Sequence, residues 1–280
     1  MTHTLTIDGE DPVALPLIVR PIEGTGLRDA ISPYGYPGAA GAPERPPDPG
    51  AVDWSETGLV SVFVRDRIGG KGSLAGGTER SRVQIADPGA DGGVRKRLRE
   101  QIRRNERRGW RVEAVRGRDA GEPARSAFER TYAQTMARTD AAERYLYESE
   151  YFERLLGSEP AWLLLAVKGD EGPTAGAIAA ASDGHLHYYL GGTAADALTD
   201  SPMKNVFAAM IDLARQLGLA LNLGGGVQPG DSLESFKRGF ANADAPFRTH
   251  EVVCDAEAYE RLSGASGPAP AGFFPGYRAG

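Results

Sequence analysis

Near the C-terminal end of the chain, FKRGF sets Phe236 and Phe240 around Lys237, Arg238 and Gly239, just after NLGGGVQPGDS. Aromatics at that spacing share one face of a helix or turn. The cations between them have two readings: surface charge on an exposed helix end, or a lysine aimed into a site. A lysine in a site places charge beside a developing oxyanion or a phosphate. Asp231 precedes the stretch in Gly-Asp-Ser, where it either caps a helix or acts on an amine. Tyr188 and Tyr189 point to opposite faces of one strand, so at most one serves a given site, and Tyr188 is the favoured one. Tyr147 and Tyr151 lie one turn apart and read as packing before chemistry. Tyr34 and Tyr36 sit in a Pro/Gly-rich loop, either as binding residues or packed onto the domain below. His185 and His187 alternate along a strand, which reads as one exposed face and not as a ligand pair, so no metal site is expected.

Charge is unevenly distributed. Arg95 to Arg118, RKRLREQIRRNERRGWRVEAVRGR, holds eleven Lys/Arg and three Glu, a local net of +8 in a chain of net −6. The remainder therefore carries −14. An acidic protein with one basic stretch is not coated with nucleic acid, but a local patch can hold one. The 280 residues, 41% of them hydrophobic, suit one large domain or two smaller ones. No apolar run is long enough to span a membrane, the N-terminus lacks a signal core, and the single cysteine, Cys254, has no internal partner. A cytoplasmic setting is the expectation.

The elements that must position these residues follow from periodicity. TLTIDGEDPVALPLIVRPIEG reads as two strands with a turn at Asp8-Gly9. LRDAISPYGYPG and the proline-rich segment after it read as loop, GLVSVFVRD as a strand, and SRVQIAD as another. GGKGSLAGG between them lacks the G-x-x-x-x-G-K-[ST] spacing and reads as a mobile hairpin tip. The basic stretch opens with a helix carrying Val94, Leu98 and Ile102 on one stripe and ending at Gly109. A strand (WRVEAV), a helix (EPARSAFERTYAQTMART) and a shorter, tyrosine-rich helix (YLYESEYFERLLG) follow. Three strands come next: AWLLLAVKG, GPTAGAIAAASDG and HLHYYLGGT. SPMKNVFAAMIDLARQLG is the clearest helix, with Ser201 as N-cap, Pro202 at N1, a stripe of Val206, Met210, Leu213 and Leu217, and Gly218 as stop. LALNLGGG and FRTHEVVCD are strands on either side of FKRGF, and SGASGPAPAGFFPGYRAG has linker composition. The order predicts an α/β sandwich with a largely antiparallel sheet.

That order resembles the core of the GNAT-type acyltransferase fold. SPYGYPG, IRRNERRGWRVE, TYAQTMART, YYLGGT, SPMKNVFAAMIDLARQLG, LNLGGG and FKRGF, in sequence, resemble the FemABX group of aminoacyltransferases over Ile31 to Phe247, with gaps. The resemblance implies a truncated N-terminal GNAT-like domain (1–92), packed on a complete C-terminal one (93–250, basic helix 94–108). A strand and helix (251–280) would then return to the first domain, with a flexible tail. The segment that carries a Trp and Lys in the family is not found at the start. By the same resemblance the reaction is transfer of an amino acid, alanine or glycine at the family level, from aminoacyl-tRNA to an amine. The acceptor is a small peptide or peptidyl-nucleoside, as in antibiotic-pathway members. The product is an amide formed without a covalent enzyme intermediate, and aminoacyl-tRNA is co-substrate in place of any cofactor. Lys237 takes the catalytic cation's position. Phe236 packs under the site or stacks on the terminal adenine. Arg138 grips an acceptor phosphate or carboxylate, or serves only its helix C-terminus. Tyr188, Tyr34, Tyr36 and Tyr151 are further substrate-binding candidates, and Asp231 is the candidate for orienting or deprotonating the amine. Arg97, Arg103, Arg104, Arg107, Arg108 and Arg238 form the tRNA footprint, unless the arginines of the helix pair with the acidic remainder.

Two rivals stand beside this reading. A coenzyme-A-dependent N-acyltransferase needs a Q/R-x-x-G-x-G/A turn at the central helix to hold the pyrophosphate. GGTAADALTDSPMK at that place has no glycine pair next to the helix. It offers Asp196 and Asp200 instead, two carboxylates expected to cap the helix and repel an anion. A non-catalytic RNA- or peptide-binding relic is the other.

Overall fold

A computed structural model of the chain describes residues 2–9, 12–41, 45–70, 72–226, 228, 230–267 and 269–279. Lys71, inside GGKGSLAGG, lies outside the described residues. In chain order the elements are β1 (Thr2–Ile7), β2 (Val13–Pro21), β3 (Arg28–Ile31), β4 (Ser61–Arg65), β5 (Thr78–Ala86), α1 (Lys96–Arg107), β6 (Trp110–Arg116), α2 (Glu122–Arg138), α3 (Ser149–Gly157), β7 (Ala161–Lys168), β8 (Ala175–Ser182), β9 (His185–Thr193), α4 (Met203–Leu217), β10 (Ala220–Gly224), α5 (Ser232–Arg238), β11 (Ala243–Val253) and α6 (Ala256–Ser266). The chain divides into two compact units, 1–82 with 245–280, and 83–244.

In the first unit β1 pairs antiparallel with β2, β2 antiparallel with β3, β3 parallel with β4, and β4 antiparallel with β11. Alternate residues of β2, Val13, Leu15 and Leu17, turn inward to meet Val62, Val64 and Val252. β11 lies between β4 and β5, so GGKGSLAGG is a crossover and not a hairpin tip. It is also packed: Leu74 is buried, and the Ser73 amide donates to Asp66 at 2.7 Å. The Asp66 carboxylate in turn meets Nε2 of buried His250 at 3.0 Å. The tail is likewise tied down, despite its linker composition. Buried Asp29 accepts from Arg278 Nε at 2.6 Å and from the Tyr277 hydroxyl at 3.2 Å, and Phe274 stacks on Tyr259. β3 is a strand where the sequence reads as loop; four residues are too few to show a period.

In the second unit β6, β7, β8 and β9 form an antiparallel meander, β9 pairs parallel with β10, and β10 pairs antiparallel with β5. The strand and helix order from β6 to β11 is the one the periodicity predicts. α4 covers one face: Val206, Phe207 and Met210 pack with Leu164, Ala177, Leu186 and Leu221. α2 and α3 cover the other, where Phe128, Tyr132, Phe152 and Leu156 meet Leu163, Leu165 and Ile178. Both faces of β7 are buried, which explains its unbroken apolar run. Gly192 lets α2 lie against β9, since a Cβ there would stand 2.6 Å from the Thr131 carbonyl oxygen.

α4 starts differently from its sequence signal. Ser201 does not cap it; its φ is +52°, and the N-cap is Pro202 without a side-chain bond. Asp200 is turned away to other partners. It accepts from the Trp110 indole N–H at 3.0 Å and from Arg108, and Lys168 Nζ lies 3.8 Å away. The indole bond first, then the two cations, hold its carboxyl below the usual range. α3 is shorter than the tyrosine-rich segment, because Glu143–Tyr145 forms a separate 3-10 turn.

Candidate active site

The parallel pairing of β9 with β10 is short. It runs Ala220↔His185, Leu221↔Leu186 and Asn222↔His187 and then stops, while β9 continues to Thr193. Past that pair the ladder leaves a gap, beside Tyr188 on β9 and Gly224 at the end of β10, with Gly225 just beyond. A bulge adds to the irregularity of β9: Ala179 faces Tyr188 and Ile178 faces Leu190, which leaves Tyr189 as the extra residue.

α5 brings Lys237 to this gap. Its start is fixed by Asp231, whose Oδ1 accepts from the Glu234 amide at 2.7 Å and whose Oδ2 accepts from the Gln228 amide at 3.0 Å. Glu234 reaches back to the Gly230 amide at 2.7 Å, a variant of the reciprocal Asp-x-x-Glu cap. At the far end Phe240 is fully buried, and Phe236 packs on Phe207 and Phe240 with centroids 5.3 Å apart. Gly239 is needed for close approach to α1, because a Cβ there would meet Leu98 Cδ1 at 2.5 Å. Its carbonyl accepts from the Arg95 amide at 2.9 Å and so ties α5 to the start of α1.

Anchored at both ends, the helix turns Lys237 inward. The residue is 6% exposed, its Nζ donates to the Gly225 carbonyl at 2.7 Å, and Nζ lies 5.3 Å from the Tyr188 ring centroid. Burial pushes the ammonium pKa down to about 8, against a smaller opposing pull from Asp231. A cation in this setting stays mostly charged at neutral pH and gives up its proton far more readily than an ordinary lysine. Tyr188 packs edge-on against Phe207 at 5.0 Å, on the α4 side. Tyr188, Phe236, Lys237 and Asp231 thus gather at one gap.

The other candidates fall elsewhere. Tyr151 stacks on Tyr147 at 4.0 Å and shares a 2.7 Å hydroxyl contact with Tyr189, among the residues packed with α2 and α3. Arg138 is exposed at the end of α2 and donates to the Thr193 carbonyl at 3.1 Å. Thr193 is five residues along β9 from Tyr188, about 17 Å at the rise of a strand. Tyr34 and Tyr36 belong to the first unit, where Tyr34 is exposed and Tyr36 meets Phe247 edge-on at 5.3 Å. Cavities of about 450 and 650 Å³ flank α2, and Lys237 lines neither.

On α1, Arg97, Arg103, Arg104 and Arg107 are exposed and make no ion pair among the described residues; Arg108, just past the end of the helix, pairs with Asp200. Arg97 and Arg104 instead face another cation, Lys204 of α4, whose pKa is lowered by burial and then by these two arginines. Arg238 is exposed and ion-paired to Glu234 one turn back. Sequence reasoning passed over Asn222 and Lys204, and it read His187 as part of an exposed face, whereas the residue is half-buried and bonded to Asn222. The N-x-G spacing of LNLGGG was the available signal for the first.

At the start of α4 the amides of Asp200, Ser201, Lys204, Asn205 and Val206 all donate to backbone carbonyls of residues 197, 201 and 202. Asp200 has lost its role as an anion repellent, since Arg108 and Lys168 face it. What weighs against a pyrophosphate here is that these amides are already spent internally.

A mixed sheet covered by helices on both faces, with two parallel strands parting at a buried lysine, is an α/β fold with an enclosed cation. Residues 92–238 match the model of the acetyltransferase (GNAT) domain, over half of the chain, and the chain belongs to that family. It is a GNAT-fold acyltransferase. Among solved structures the chain is similar to FemX, at 12% identity over 93% of this chain and 90% of that one, with a TM-score of 0.66. It is similar to a C-terminal domain described as that of a lysylphosphatidylglycerol synthetase from Agrobacterium fabrum, at 17% identity over 94% and 87%, TM-score 0.63. A third likeness is to L-PGS from Bacillus licheniformis, at 12% identity over 91% and 84%, TM-score 0.63. At these identities the likeness is one of fold. No curated protein matches the chain. Among the described residues no helix is long and apolar enough to cross a membrane, and no cluster of metal-ligating side chains occurs.

Proposed function

We propose that the protein transfers an amino acid from aminoacyl-tRNA to the amine of a small peptide or peptidyl-nucleoside, forming an amide. The observation that carries the donor is the row of exposed arginines on α1 without carboxylate partners among the described residues, backed by Lys204. Such guanidinium groups in a net-acidic protein suit phosphates supplied from outside. The internally bonded amides at the start of α4 weigh against coenzyme A. FemX and the two synthetase structures, alike in fold, are consistent with aminoacyl transfer.

The chemistry needs no covalent intermediate, because the ester is already activated. The amine attacks the ester carbonyl, the carbonyl oxygen gathers negative charge, the bond to the ribose oxygen breaks, and the proton the amine loses ends on that oxygen, which departs as a hydroxyl. Lys237 supplies charge to the developing oxyanion or the departing hydroxyl. Asp231 supports that charge from the cap of α5, and both its oxygens are engaged there, which suits it to holding the lysine more than to moving a proton. Tyr188 faces the lysine's Nζ, and Phe236 packs behind it on Phe207, which Tyr188 also meets edge-on. Arg138 would meet the distal part of the acceptor.

Incubation with mixed charged tRNAs and candidate amines, read by mass shift, tests this. An acceptor heavier by one aminoacyl residue is expected. The same product formed after RNase treatment, with ATP and free amino acid as the only supply, would overturn it. The family's description favours a second reading, N-acyl transfer from a coenzyme A thioester, which binding of acetyl-CoA by calorimetry would support. Unchanged turnover and binding in Lys237→Ala would point instead to a non-catalytic relic.

A further inference from the structure

Asn222 is 1% exposed on β10, yet every polar atom of its side chain is used. Oδ1 accepts from the Gly224 amide at 2.8 Å, and Nδ2 donates to His187 Nδ1 at 3.0 Å. The first bond closes a side-chain turn two residues long, a local alternative to the strand ladder. It fixes the amide's orientation, since only the oxygen can receive the Gly224 N–H. His187 Nδ1 must then accept, so the imidazole is neutral with its proton on Nε2, toward the Ser182 hydroxyl at 3.2 Å. Burial, then His185, lower the His187 pKa and favour that neutral form.

The consequences for the strand are visible at the same residues. Asn222↔His187 is the last pair of the β9–β10 ladder. On the other side the register with β5 slips between Asn222 and Gly224. Gly224 has φ +74°, a left-handed conformation that turns the chain out of the strand. The next carbonyl, Gly225, is the one that receives Lys237 Nζ.

We infer that Asn222 is a positioning residue for Lys237: its side chain removes the Gly224 amide from the ladder, parts β10 from β9, and sets the Gly225 carbonyl against the lysine. It acts through the backbone and touches no reacting atom. The inference rests on the reading of Lys237 as the site's cation.

Asn222→Leu keeps size and removes both bonds. With the variant's fold checked by circular dichroism, the titration of Lys237 is followed by NMR of 13C-labelled lysine, which needs no substrate. Release of the Gly225 carbonyl lets water reach the ammonium, so the midpoint should rise by about one pH unit or more toward that of an ordinary lysine. In the transfer assay kcat should fall about tenfold or more with KM nearly constant. A folded variant whose Lys237 midpoint is unchanged overturns the inference. Where the variant does not fold, hydrogen exchange of the Gly224 amide in the unaltered protein decides: protection supports the side-chain bond, and free exchange overturns it. If the midpoint shifts but no transfer is found with any charged tRNA, the positioning role stands and the proposed reaction falls.

Discussion

Replacing Lys237 by methionine should remove one pH-dependent contribution to the second unit's stability above neutrality. The buried ammonium has a pKa of about 8, against 10.5 for the unperturbed group. At about 1.4 kcal/mol per pH unit, the charged form is disfavoured in the folded protein by about 3 kcal/mol. The sign follows from proton counts. Between about 8 and 10.5 the unfolded chain keeps a proton that the folded chain has released, so stability rises with pH across that window; below about 8 the full penalty applies. Methionine has similar length and no proton to lose. It also leaves the Gly225 carbonyl without its donor, at about 1–3 kcal/mol, so stability at pH 7 is the less telling comparison. The informative quantity is the difference between wild type and Lys237→Met, measured by urea unfolding at several pH values with Trp110 and Trp162 as reporters. It should move by about 3 kcal/mol in favour of wild type from pH 7 to 11. Parallel stability curves would refute a lysine that is buried and charged at neutral pH. The same variant should lose transfer by about a hundredfold or more.

Other outcomes follow from the same geometry. Asp231→Asn keeps an acceptor for the Glu234 amide but removes the carboxylate charge, so the Lys237 midpoint should drop below about 8 in the NMR titration. Gly239→Ala forces a Cβ onto Leu98 and should cost about 1–3 kcal/mol in thermal unfolding, with α1 and α5 pushed apart. Joint replacement of Arg97, Arg103, Arg104 and Arg107 by alanine should weaken tRNA binding. It should also flatten the plot of log affinity against log salt by about 0.7–0.9 for each phosphate no longer neutralised, measured by fluorescence anisotropy. Below about pH 6.5, protonation of His187 opposes the Asn222 donor. Stability should therefore fall with pH there more steeply in wild type than in His187→Gln, as read by melting temperature.

Much of the second unit was legible because its elements are long and strongly periodic. The α4 stripe, the unbroken β7 run and the small residues of β8 each fit one environment. Local signals failed where distant residues decide. Ser201 and Asp200 looked like helix caps, yet Asp200 is drawn off by Trp110 and Arg108 about ninety positions earlier. The tail reads as linker until Tyr277 and Arg278 meet Asp29 near the other end of the chain. FKRGF announced a paired-aromatic turn. What it could not announce was the Gly225 carbonyl that receives Lys237, because that placement depends on a side-chain turn made by Asn222 on another element.

The first unit is built from the two ends of the chain, with residues 83–244 synthesised between them. β4 is made long before its partner β11, and Asp66 waits 184 residues for His250. At about 5–20 residues per second this interval is roughly 10–40 s. Throughout it the nascent chain carries an open β4 edge and a half-formed core while the inserted unit can fold. A ribosome-bound chain of this design is the form most exposed to mispairing and most in need of chaperone cover. Slower elongation through the inserted unit would lengthen that exposure without changing the finished protein.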